Sequence, residues 1–238
     1  MTGTFRDLFY CLLRNRWVPG LISAALLSSC AGGAFYFGAY TPADYTPKDA
    51  AEYGVLLASV GMANSLRDDN YGYAMDFRRK GPSGGAVGAF GYPPAAGRSL
   101  QPKKIEFEEG ARHGIVIVFP LVPGEYEISR YVVAFSTGTG YRYVPWASKQ
   151  GFSIPFSIVA GRTTYLGQIM LDPPERADAL AVIVKSLDSK GIFAVSDQLA
   201  RDMYLAEQAG RPVSRANPLK ETPDPKELGL SDFRVDNP

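Results

Sequence analysis

Ile115-Val116-Ile117-Val118-Phe119 is a continuous β-branched run, and just upstream Lys104-Ile105-Glu106-Phe107-Glu108 alternates charged and apolar residues. The first pattern suits a central strand buried on both faces, the second a strand with one face in water. In the second, Ile105 and Phe107 are expected to point inward, with Glu106 and Glu108 on a solvated outer face. Working outward, similar lengths recur. Residues 53–60 form an apolar run, and in 71–78 Tyr71, Tyr73, Met75 and Phe77 alternate. Further strand patterns cover 125–128 continuing through 131–135, then 141–144, 152–159, 163–171, 181–185 and 192–195. The chain has 25 Gly and 18 Pro among 238 residues, which favours turns over long helices. Nine or ten short strands punctuated in this way, by the strand rule, predict a mainly β fold, an antiparallel β-sandwich. The segment 79–102 holds six Gly and four Pro and is expected to be a long loop without periodicity.

One C-terminal helix is expected. Asp197 or Ser196 would cap it, Leu199, Met203 and Ala206 fall on one face, and Gly210 and Pro212 would stop it. Beyond it, 211–238 carries five prolines and ten charges with few large apolar groups. Such a tail is expected to be disordered, because it cannot bury enough surface to offset ordering.

Charge and composition exclude several classes. Lys+Arg is 25 against 24 Asp+Glu, a net charge of +1, so the basic excess of a nucleic-acid binder is missing. With one histidine and two cysteines the chain cannot build a zinc finger, a disulfide scaffold or a site of two imidazoles. No metal site and no cofactor are expected.

The N-terminus carries the sharpest functional signal. Residues 1–16 contain Arg6, Arg14 and Arg16 against Asp7, and 17–43 has no charge. A basic start, a short apolar run and then small residues is the layout of a secretory signal. Leu27-Ser28-Ser29-Cys30 resembles the bacterial lipobox. By that resemblance Cys30 receives a diacylglyceryl thioether, the chain is cut before it, and its new amino group is acylated. Small Ser28 and Ser29 suit a narrow peptidase cleft, and only a thiol serves as the nucleophile at Cys30. Three acyl chains, at about 0.8 kcal/mol per buried CH₂, exceed the marginal hold of one. The rival reading is an uncleaved single-pass helix, since the uncharged window exceeds the roughly 20 residues needed to span a bilayer. Pro19, Gly20, Gly32, Gly33 and Gly38 weigh against it. Either way the arginines stay inside and the domain is exported. The resulting divisions are 1–29 lipoprotein signal peptide, 30–50 tether, 51–210 sandwich with its helix, and 211–238 tail. Ala31, where inner-membrane lipoproteins commonly carry Asp, points by resemblance to the outer membrane.

Three stretches together resemble uncharacterised bacterial envelope lipoproteins with a transthyretin-like or carboxypeptidase-regulatory-like sandwich. They are Gly54-Val55-Leu56-Leu57-Ala58-Ser59-Val60, Phe119-Pro120-Leu121-Val122-Pro123-Gly124-Glu125-Tyr126-Glu127-Ile128, and Phe156-Ser157-Ile158-Val159-Ala160-Gly161-Arg162-Thr163-Thr164-Tyr165-Leu166-Gly167-Gln168-Ile169. The resemblance covers roughly 50–208, by the same strand pattern, and implies fold and location but no catalytic residues.

The search for chemistry yields little. His113, between Arg112 and Gly114, reads as a turn histidine in solvent, and no Gly-x-Ser-x-Gly elbow accompanies it. Tyr141, Tyr143 and Trp146 flank Arg142 and offer an aromatic binding surface; the same alternation also fits a strand with one face buried. The expected function is a non-enzymatic, lipid-anchored envelope protein facing the periplasm. It would be held to the membrane through Cys30 and would bind or brace an unknown envelope protein. The alternatives are a carbohydrate- or peptidoglycan-binding sandwich using Tyr141, Tyr143 and Trp146, and, more remotely, a hydrolase built on Glu106, Glu108 or His113.

Overall fold

The structure, a computed structural model, describes residues 52–63, 71–81, 88–93, 105–136, 142–173 and 191–236. The expected strand at 181–185, the signal, the lipobox and the whole tether lie outside them.

Twelve strands and one helix are present among the described residues: β1 (Gly54–Met62), β2 (Tyr71–Arg79), β3 (Gly88–Tyr92), β4 (Phe107–Glu109), β5 (Arg112–Leu121), β6 (Gly124–Ser136), β7 (Arg142–Ala147), β8 (Ile154–Ile158), β9 (Thr163–Leu171), β10 (Phe193–Ser196), α1 (Leu199–Gln208), β11 (Leu219–Lys220) and β12 (Phe233–Val235). They form a seven-stranded sheet, ordered β12-β10-β9-β1-β5-β4 with β11 also on β9, and a five-stranded sheet, ordered β3-β2-β6-β7 with β8 also on β6. The fold is mainly β and sandwich-like, as expected. The seven-stranded sheet is mixed, because β1 runs parallel to β9, β11 to β9 and β12 to β10, while the five-stranded sheet is antiparallel throughout.

Alternation builds the shared core. Leu56, Val60 and Met62 of β1 meet Tyr73, Met75 and Phe77 of β2, with Ile128, Tyr131 and Val133 of β6 beside them. A bulge in each sheet keeps the pattern in phase. On β6, Ser129 is the extra residue between Ile128↔Phe77 and Arg130↔Asp76, so Ile128 and Tyr131 both reach the core. On β9, Leu166 and Gly167 stand where β1 has Ala58 alone. That insertion sends Leu166 and Ile169 inward while Tyr165, Gln168 and Met170 share the outer face. Gly167 has φ +92, and a Cβ there would lie 2.8 Å from Thr222 Cγ2. Only glycine takes this bend without strain.

Helix α1 lies on the outer face of the seven-stranded sheet. Met203 and Ala206 pack there with Leu57, Val116, Tyr165 and Met170, and Leu199 joins half-buried. The N-cap is Gln198, with no side-chain cap bond, in place of the expected Asp197 or Ser196; Asp197, one residue earlier, accepts the Leu199 N–H on Oδ1 at 3.0 Å. Gly210 N–H bonds Glu207 O and Arg211 N–H bonds Ala206 O, the two bonds that close a helix through a glycine.

The expectation of a disordered tail is corrected. Residues 211–236 run as a strap along this sheet. Arg211 bonds Glu106 and the Val116 carbonyl. Ser214 N–H bonds Thr163 Oγ1, Glu221 N–H bonds Tyr165 O, and Asp236 N–H bonds Val195 O. Phe233 is buried and stacked on Phe193 at 4.8 Å, with the Tyr131 hydroxyl donating to Asp232 at 2.5 Å. The strap gains its order from partners far away in sequence, which composition does not register.

The long-loop expectation is corrected as well. Phe90 and Tyr92 alternate into the core from β3, inside the Gly- and Pro-rich segment.

Candidate functional site

The densest polar cluster sits beneath α1, and the local folding of three elements explains it. The β9 bulge presents Tyr165 and Gln168 on one face, the β1 alternation brings Ser59 opposite Gln168, and the first helical turn lowers Asp202 onto both. Asp202 is fully buried, at 0% exposure. Its Oδ2 accepts from Ser59 Oγ at 2.6 Å and from the Tyr165 hydroxyl at 2.9 Å. Its Oδ1 accepts from Arg201 Nε at 2.9 Å and NH2 at 2.7 Å. Arg201 reaches on to Glu109 at 2.9 Å and lies 4.0 Å over the Phe107 ring. The Gln168 amide is oriented by this network: its nitrogen donates to Ser196 Oγ at 2.9 Å while its oxygen accepts from Arg201 at 3.2 Å. Burial pushes the Asp202 carboxyl above the usual carboxylate range, against the pull of Arg201, Ser59 and Tyr165. Burial, and then the charge of Asp202, pushes the Tyr165 phenol up as well.

No family model matches the chain, and no curated protein does. Among solved structures, a leucine-rich repeat protein from Bacteroides thetaiotaomicron is similar over 54% of this chain and 14% of its own, at 13% identity and a TM-score of 0.26. The chain thus spans a small part of that protein's length, and so slight a likeness carries neither fold nor function.

Chemically, the cluster is closed. Both Asp202 oxygens are occupied, Ser59 is fully buried, and the helix covers them. It acts as a clasp between helix and sheet, since a buried carboxylate is tolerable only when paired and hydrogen-bonded. A second clasp lies beside it. Glu106 takes Arg211 on its carboxylate and accepts the Val116 N–H at 2.9 Å, standing in for a ladder partner at the edge of β5. Sequence reasoning placed Glu106 on a solvated face with Glu108. The structure buries most of Glu106, which Arg211 and the Val116 N–H engage, and leaves Glu108 exposed, while Phe107 between them packs in the cluster beneath α1. Ile105, expected inside, is 45% exposed just ahead of β4.

One further expectation changes and one alternative is decided. His113 is not a solvent turn residue. It lies at the start of β5 opposite Met62, is 2% exposed, and meets Tyr92 edge-on at 5.6 Å. Trp146 follows the buried-strand reading of its stretch. It is 4% exposed, opposite Val133 on β6, and stacked with Tyr71 at 6.3 Å. The odd-even phase of β7 turns the indole into the core, so it offers no ring face to a glycan. Tyr143 lies on β7, its side chain outside the described set, and Tyr141 lies outside it altogether. Cys30, Leu27, Ser28 and Ser29 also lie outside it.

Among the described residues no group of three or more His, Cys, Asp or Glu is placed to hold a metal, and no helix is long and apolar enough to cross a membrane. A shallow groove of about 650 Å³ runs along the end of the strap, lined by Pro225, Lys226, Leu230, Phe233, Arg234 and Val235. No candidate residue from the sequence faces it. Sequence reasoning passed over Asp202, Ser59 and Arg201. The signal for Asp202 was its place between Leu199 and Met203 on the apolar face of a short helix, where a carboxylate needs a partner.

Proposed function

We propose that this chain is a lipid-anchored bacterial envelope protein, held to the membrane by a thioether lipid on Cys30. Its sandwich serves as a non-enzymatic binding or structural module facing the periplasm, with the outer membrane as the favoured site by virtue of Ala31. The observation that carries the reading is the order of signals at the N-terminus: Arg6, Arg14 and Arg16, an uncharged stretch, then Leu27-Ser28-Ser29-Cys30. β1 begins at Gly54, which leaves 23 residues between Cys30 and the sandwich. Fully extended they reach at most about 80 Å, room for a tether that holds the domain clear of the bilayer. The transthyretin-like resemblance belongs to this proposal and fits a two-sheet domain.

The non-enzymatic reading is supported by where the acid–base groups are engaged. Asp202 and Glu106 brace the helix and the strap, and His113 packs inside the sandwich. The glycan-binding alternative rests on Tyr141 and Tyr143 once Trp146 is assigned to the core.

The test is Cys30→Ser in cells fed a labelled fatty acid. Label on the natural chain, none on the variant, and a larger unprocessed variant are expected. Equal labelling of both sinks the lipid anchor. Equal size of both, with no label on either, favours the uncleaved helix.

A further inference from the structure

The chain that leads from Cys30 enters the sandwich at one end, and main-chain bonds fix that joint. The Tyr53 carbonyl accepts the Gly161 N–H at 2.8 Å, and the Val55 N–H donates to Arg162 O at 2.9 Å. Strand register gathers the turns of both sheets around it: Gly54 lies opposite Leu121, Val55 opposite Thr163, Gly124 opposite Ile158 and Arg79 opposite Tyr126. Three cations stand at this end. Arg79 closes β2, Lys80 follows it, and Arg162 precedes β9. Both arginines are held by carbonyls. Arg79 NH2 donates to Pro123 O at 2.8 Å, and Arg162 donates to Asn217 O through Nε at 2.9 Å and NH2 at 2.6 Å. None of the three forms an ion pair among the described residues. The neighbouring pairs Arg78–Glu127 and Arg215–Glu207 are neutral. The remaining acids are Glu52 and Glu125, both exposed, Glu125 accepting from Ser157 Oγ at 3.3 Å. Val159, 39% exposed, tops the turn from β8 to β9. Toward the opposite end the cations do meet carboxylates, Arg112 with Asp236 and Arg234 with Asp172.

We propose that this end is a seat on an anionic bilayer surface, with Arg79, Lys80 and Arg162 on lipid phosphates and the Val159 turn at the headgroup layer. The inference rests on the lipid anchor at Cys30, which brings the membrane to the side where the chain enters. The tether is long enough for the domain to stand off, and the charge at the joint draws it down. A guanidinium held by a carbonyl keeps its full charge. Arg79 and Arg162 also keep spare N–H groups, which suit phosphate oxygens. Each cation near an anionic surface adds about fivefold in affinity, offset in part by Glu52 and Glu125, and the attraction fades with salt.

Hydrogen exchange on the lipidated full chain in vesicles tests the seat. Amides of 79–81 and 159–162 are compared on neutral phosphatidylcholine and on vesicles rich in phosphatidylglycerol, with 110–112 at the opposite end as reference. Protection of the two turns is expected to rise by about fivefold or more on the anionic vesicles, to fall back in high salt, and to leave 110–112 unchanged. Lys80→Gln, which removes no side-chain hydrogen bond, should shrink the rise, and Arg79→Gln with Lys80→Gln and Arg162→Gln should erase it. Each variant is compared with itself on the two lipids, so local loosening cancels. Equal exchange on both lipids, or a rise that the triple variant keeps, overturns the seat while the chain stays vesicle-bound and the anchor stands. The same rise from inorganic phosphate in detergent overturns it in favour of a free anion. A chain without lipid that fails to sediment with the vesicles breaks the anchor, and the seat with it.

Discussion

The two sheets share one core but differ on their outer faces. The seven-stranded sheet is covered by α1 and the strap, and its outer residues Leu57, Ser59, Tyr165, Gln168 and Met170 are buried. The five-stranded sheet carries no helix among the described residues. Along β2 and β6 its outer face changes from small residues, Gly72, Ala74 and Ala134, to a charged ladder in which Arg78 pairs with Glu127 and Arg130 lies 4.0 Å from Asp76. The same residue type therefore does different work on the two faces. Asp202 is a sealed carboxylate whose loss leaves a guanidinium and two hydroxyls stranded, while Asp76 is a half-exposed one in a screened pair. A carboxylate's place in the layers, more than its chemistry, decides what it contributes.

That contrast can be broken most severely by deleting 212–238. The deletion removes β11, β12 and the Phe233 stack together. A fold whose whole stability is typically about 5–15 kcal/mol should then lose its cooperative melting transition by circular dichroism. A truncated chain that melts like the natural one means the strap is an ornament.

Asp202→Ala comes next, with an expected cost of about 3–5 kcal/mol in denaturant unfolding, the range for breaking a buried pair by removing one partner. Asp76→Ala, its counterpart on the open face, should stay within about 1 kcal/mol. Equal costs would erase the distinction between the faces. Gly167→Val should cost about 1–3 kcal/mol in backbone strain alone, with Thr222 of the strap displaced and its tryptic cleavage accelerated.

The smallest effect is a difference in pH signature. Ser153 first, and Arg78 after it, hold the Glu127 carboxyl below the usual range. Its contribution is therefore present above the unfolded value and fades as pH falls through the folded one. Asp202 behaves oppositely. The stability difference between natural and Glu127→Gln chains should shrink toward acid, while that for Asp202→Asn should grow. Parallel pH curves for the two variants would contradict the opposed shifts.

Much of the sandwich is legible in the sequence because period-two alternation is a local property. Tyr71, Tyr73, Met75 and Phe77 announce β2 unaided, and the run from Ile115 announces β5. What escaped depends on distant partners. The strap reads as a polar, proline-rich tail until Tyr131, 101 residues away, is found holding Asp232, and β9 is found pairing with Leu219 and Lys220. Glu106 reads as a surface acid until Arg211 arrives from the far end of the chain. His113 escaped for a related reason: a polar ring is assigned to water by type, whereas strand phase turns it inward. β3 was hidden by its glycines, though Phe90 and Tyr92 carried the alternation. The site shows the same divide. Ser59 and Tyr165 are unremarkable where they stand, and only the pairing of β1 with the bulged β9, under the first turn of α1, brings them to Asp202.

The most direct test of this account is brief tryptic digestion of the folded chain, followed by intact mass measurement. Arg215, Lys220, Lys226 and Arg234 place cleavage sites along the strap. A sealed outer face predicts that the strap stays on the sandwich at digestion times when an exposed tail would be gone, and that Gly167→Val shortens its survival. Early loss of everything beyond Arg215, with a domain that still melts cooperatively, would contradict it.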